Sequence, residues 1–69
     1  MQLLHMVTIQ EAVDMFRKEY LRRSGVVGVS TDGRAIIVYI EDERVKAILP
    51  YVYHGFPVIP KVVGRVTTL

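Results

Sequence analysis

Ile9, Val13, Phe16 and Tyr20 recur at steps of four, three and four, with Ala12 beside them. That spacing lays one apolar stripe along a helix. Thr8 and Glu11 frame its start as a capping box: the Thr hydroxyl accepts from the amide three residues on, and the Glu carboxylate reaches back to the cap amide. Glu11 and Asp14 near the start, with Arg22 and Arg23 at the end, match the helix macrodipole. Gly25, after Ser24, suits a left-handed cap. The pattern predicts a helix over about residues 9–23.

Downstream the period shortens to two. Val26-Val27-Gly28-Val29-Ser30-Thr31 and residues 34–41 are β-branched runs on either side of Asp32-Gly33. They predict a hairpin, since both turn residues tolerate positive φ. Asp42 is placed to cap a short second helix, with Glu43 in its first turn and Val45, Ile48 and Leu49 as its buried side; Pro50 stops it. Residues 56–66 are again β-branched but hold Pro57, Pro60 and Gly64. A proline brings no N–H to a ladder, so this strand is expected to be irregular or at an edge. Residues 2–7 stay open between strand, helix extension and frayed end. The expected fold is a single α+β domain over residues 1–69: a small antiparallel sheet with two helices on one face, ordered αββαβ or, with a first strand, ferredoxin-like βαββαβ.

The second hairpin strand is apolar on both sides. Ile36, Val38 and Ile40 point one way, and Ala35, Ile37 and Tyr39 the other. On its partner, alternation sets Val27 and Val29 on one side and Val26, Gly28 and Ser30 on the other. Two helices cover one face of a small sheet, and a solvated face should read polar at alternate positions. A domain of this size buries only about 60% of its unfolded surface, and each large apolar side chain left in water forgoes about 1.5–3 kcal/mol. The chain is therefore expected to form a homo-oligomer, a two-fold dimer first of all, through the helix-free face or an edge strand. A partner protein could use the same surface. Ile37, Tyr39, Tyr51 and Tyr53 are the expected contacts, aromatics offering the largest area.

Composition narrows the classes. The chain has 69 residues, 51% of them apolar, which excludes intrinsic disorder. It has no cysteine, hence neither disulfides nor a thiolate metal site. The longest apolar run, residues 35–40, falls far short of the roughly 20 that span a bilayer, and the first residues do not read as a signal peptide. A cytoplasmic protein without membrane contact is expected. Eighteen Val and Ile residues, six Arg against three Lys and the missing Cys suit a heat-adapted protein.

Candidate chemistry is sparse. His5 and His54 match no ligand spacing, so no metal is expected. Ser24 and Ser30 are accounted for by the helix end and the hairpin, and no Gly-x-Ser-x-Gly elbow is present. Glu41, Asp42 and Glu43 are accounted for by helix capping. Gly25, Gly28 and Gly33 lack the lysine of a phosphate loop; Gly28 marks either a bulge or a close approach by another backbone. No catalytic residue, no cofactor and no enzyme activity are expected.

Nine basic against seven acidic side chains leave a net +2, a weak excess for a nucleic-acid binder. The alternative function, weak nucleic-acid binding, would use Arg17, Lys18, Arg22, Arg23 and Arg34. Asp14 and Glu19 are placed for i,i+4 pairs with Lys18 and Arg23, which favours a solvated helix face. Asp32-Gly33-Arg34-Ala35-Ile36-Ile37-Val38-Tyr39 resembles the longer motif of RNA-recognition domains at Gly33, Ala35, Ile37 and Tyr39. Arg34 and Ile36 stand where that family has its stacking aromatics, and Asp32 replaces a base. The likeness thus concerns strand geometry and not RNA.

Val26-Val27-Gly28-Val29, Ala35-Ile36-Ile37-Val38-Tyr39-Ile40, Gly55-Phe56-Pro57-Val58 and Val62-Val63-Gly64 together resemble the small N-terminal region that precedes the catalytic domain in some bacterial trypsin-like peptidases. The resemblance covers about residues 26–64 and carries no catalytic residue. It implies a free-standing accessory or docking module with a hairpin–helix–strand plan.

Overall fold

A computed structural model of the chain describes residues 7–64. Helix α1 spans Ile9–Tyr20 and opens with the expected capping box: Glu11 N–H donates to the Thr8 hydroxyl at 3.2 Å, and Thr8 N–H donates to the Glu11 carboxylate at 3.0 Å. The helix stops short of residue 23. Leu21 N–H still reaches the Arg17 carbonyl, but Arg23 N–H then bonds Tyr20 in a tighter turn. Gly25, at φ 92°, swings the chain into the sheet.

Strand β1, Val26–Thr31, and strand β2, Ile36–Ile40, form the hairpin. Its connection holds four residues, and only Gly33 takes positive φ. Asp32 acts through its side chain instead, accepting from Arg34 N–H at 2.9 Å and Ala35 N–H at 3.0 Å. The Thr31 hydroxyl donates to the Ala35 carbonyl and accepts from Gly33 N–H, closing the loop.

Pairing in the hairpin shifts register between Val26 and Gly28. Val27 is the extra residue of a β-bulge and is 53% exposed. Simple alternation fails here: the insertion turns Val26 and Val29, three apart, to the same buried face, and Val27 does not share the side of Val29. Of the two readings for Gly28, the bulge is the one found.

A 3-10 helix, Glu43–Ile48, follows with Asp42 as its cap. None of its residues is fully buried: Val45 and Leu49 pack against the core, whereas Ile48 is 41% exposed. Leu49 already has extended backbone, so a helical period does not set its direction. Strand β3, Val52–Tyr53, then makes a tight hairpin with β4, Phe56–Val62. His54 and Gly55 both have positive φ, 50° and 86°, as a type I′ turn requires.

The class is α+β, and the described residues follow the αββαβ order with the small β3 added. The candidate first strand lies almost wholly outside the described residues. The sheet order is β1-β2-β4-β3. It is mixed and not wholly antiparallel, because β4 runs parallel to β2 with Ile36 opposite Val58 and Ile40 opposite Val62. Residues 41–55 provide the crossover of a dozen or more residues that a parallel pair needs. Ala12, Val13 and Phe16 of α1 close over Val26, Val29, Ile36, Val38, Ile40 and Val58, which together form the core.

Candidate interaction surface

The register defines the helix-free face. Ile37 stands between Ser30 and Ile59, and Tyr39 between Gly28 and Lys61. Ile37 and Tyr39 are half-buried because β2 is an inner strand flanked on both sides; Ile59, one strand further out, is 41% exposed. The Tyr39 ring leans over Gly28, with Cδ2 3.6 Å from where a glycine Cβ would stand. A tyrosine over a cross-strand glycine fills the gap left by the missing side chain. The face thus carries an apolar centre with Ser30 and Lys61 at its rim.

The other two expected contacts lie elsewhere. The Tyr51 carbonyl accepts from Val58 N–H, which places Tyr51 on the far side of β4 from Ile37 and Tyr39. It is 92% exposed. Tyr53 belongs to the inner side: its ring meets Phe16 edge-on at 5.0 Å and Tyr20 at 6.4 Å, while Phe16 and Tyr20 stack at 4.3 Å. The type I′ turn sets this direction by folding β3 back along β4. The Tyr53 hydroxyl donates to the Glu19 carboxylate at 3.2 Å. Burial, then the neighbouring Glu19 carboxylate, push its phenol above the usual range. Tyr53 therefore serves the fold of its own chain and does not join Ile37 and Tyr39.

The basic residues do not form one patch. Arg17 donates from Nε and Nη2 to the Val29 carbonyl at 3.3 and 3.1 Å and pairs with Asp14 at 3.7 Å. Asp14 is thus ion-paired with Arg17, one residue nearer than the expected Lys18. Glu19 takes the Tyr53 hydroxyl, and Arg23 lies 5.2 Å over the Tyr20 ring as a cation–π contact. Lys18, in the last turn of α1, and Arg22, in the turn just past it, are exposed. Arg34 sits at the hairpin tip, beyond the far end of β1 from Arg23. At about 3.3 Å per strand residue that is a separation on the order of 20 Å.

Ile59 is the exposed apolar residue of this face that sequence reasoning missed. Its signal was the alternation Pro57, Ile59, Lys61, which becomes readable once β4 is aligned with β2. Among the described residues no three His, Cys, Asp or Glu side chains gather as metal ligands, and no helix is long and apolar enough to cross a membrane. Comparison of the chain with protein-family models, with curated proteins and with solved structures gives no match.

Proposed function

We propose that this chain is a non-enzymatic interaction module that self-associates as a two-fold dimer through the helix-free face of its sheet. The observation that carries the reading is the row Ser30-Ile37-Ile59, continued by Gly28-Tyr39-Lys61: an apolar centre on a face that α1 does not cover. Apolar side chains at the middle of a small sheet gain by burial against a like surface, and a two-fold axis lets one patch serve both partners. The resemblance of residues 26–64 to a non-catalytic region beside peptidase domains supports a docking role of the same kind, in which a partner protein would take this face. Ile59→Glu tests it. The residue is partly exposed, so the monomer should tolerate the change, while a buried unpaired carboxylate would split a dimer. Sedimentation equilibrium should give a dimer mass for the unaltered chain and a monomer mass for the variant. A monomer mass for the unaltered chain at high micromolar concentration would overturn the reading.

A further inference from the structure

A small sheet of β-branched strands has a second way to associate, by adding strands at its open edges. The backbone shows what stands there. Glu41 N–H donates to the Gly25 carbonyl and Val63 N–H to the Ile40 carbonyl. Since backbone groups alternate sides along a strand, Ile37 and Tyr39 direct theirs to β1, and Ile36, Val38 and Ile40 direct theirs to β4. Val29 lies opposite Val38, so its own N–H and C=O turn outward at the edge of β1 that no other described strand pairs. The Arg17 guanidinium occupies that carbonyl with two donors, braced by Asp14. The bulge at Val27 interrupts the same edge two residues earlier.

The opposite edge follows from the same alternation. Val63 N–H faces β2, so Ile59 and Lys61 face it too, and Val58, Pro60 and Val62 face away. Val58 N–H, which donates to the Tyr51 carbonyl on the β3 side, confirms the parity. Strand β3 covers Phe56 and Pro57, and the first outward position beyond Val58 is Pro60, which has no N–H to give.

We infer that both edges of the sheet are guarded against strand addition by a second copy of this chain, by Arg17 on β1 and by Pro60 on β4. An incoming strand would have to displace a doubly bonded guanidinium at the centre of β1, or meet β4 where its donor is missing. The guard rests on this geometry alone. Its consequence, that copies meet face to face, rests on the dimer reading above.

The test restores each edge. Pro60→Val returns an outward N–H in a residue suited to strands, and Arg17→Leu removes the guanidinium while keeping a good helix former. Sedimentation velocity over a concentration series is expected to show, for each variant, a weight-average mass above that of the unaltered chain and rising with concentration, with near-ultraviolet circular dichroism retained. The double variant should show the larger rise. Should Arg17→Leu lose its fold, Pro60→Val decides for its own edge. Masses that track the unaltered chain across the series, with the fold intact, overturn the guard. Because the comparison is with the unaltered chain, whether monomer or dimer, this failure is distinct from failure of the face dimer.

Discussion

The Val45 side chain fills the space where a Cβ on Gly25 would stand, its Cγ2 only 2.5 Å from that position. The glycine is therefore required twice, once by its φ of 92° and once by the close approach of the 3-10 helix. Gly25→Ala should destabilise the chain by about 1–2 kcal/mol for the left-handed backbone and by about 1–3 kcal/mol more for overpacking. Urea unfolding measures it. Gly33→Ala is the control, since Gly33 has positive φ but nothing within 4 Å of its Cβ position, and should show only the backbone part.

Acid should loosen the hairpin loop and the 3-10 helix. Backbone N–H donors from Arg34 and Ala35 hold the Asp32 carboxyl below its ordinary range, and Arg44 N–H does the same for Asp42. A carboxyl lowered in the folded state adds stability above its unfolded pKa of about 3.9, and this is lost as pH falls through the lower folded value. Thermal melts between about pH 6 and pH 2 should therefore show stability falling below about pH 4. Asp32→Ala should make that fall shallower as well as lowering the plateau.

Tyr53 should act at the other end of the scale. Its phenol is raised by burial and by Glu19, so its contribution is complete below the ordinary tyrosine pKa of about 10 and fades as pH climbs through the higher folded value. Tyr53→Phe should keep the ring contacts with Phe16 and Tyr20, cost about 1 kcal/mol or less for the lost hydrogen bond, and remove this tyrosine's share of the alkaline loss. Phenolate absorbance during an alkaline titration follows the group directly.

Salt separates face association from a basic-patch interaction. Burial of Ile37, Tyr39 and Ile59 against a second copy would not be screened by ions, so the proposed dimer should persist or tighten at about 1 M salt, where the Debye length is about 3 Å. Retention on nucleic acid through Lys18 and Arg22 would weaken steeply over the same range. Sedimentation and a filter-binding series at matched salt check both, and a dimer that dissolves with added salt would argue against the apolar face.

Strand pairing is where reading along the chain ran out. Val26, Val27, Gly28 and Val29 look alike to a period-two pattern, and only the bulge decides that Val26 and Val29 go inward while Val27 stays out. The His54-Gly55 turn carried a local signal, since His is among the residues that enter positive φ more readily, but its consequence for Tyr53 did not. Ile37 and Tyr39 were legible as a second apolar side of one strand; Ile59 beside them was not, because its place depends on a parallel partner remote in sequence.

Local chemistry was enough, then, for the elements whose causes lie within a few residues: the Thr8–Glu11 capping box, the stripe through Ala12, Val13 and Phe16, the Asp32-Gly33 turn and the Asp42 cap. Tertiary structure decided what depends on contacts across the chain. It aligned β4 with β2, turned Tyr53 onto α1 instead of the helix-free face, and drew Arg17 from the basic cluster to the Val29 carbonyl. The physical reason is range: a cap or turn is satisfied by its own neighbours, whereas a strand's partner and a long side chain's acceptor are chosen only when distant segments meet.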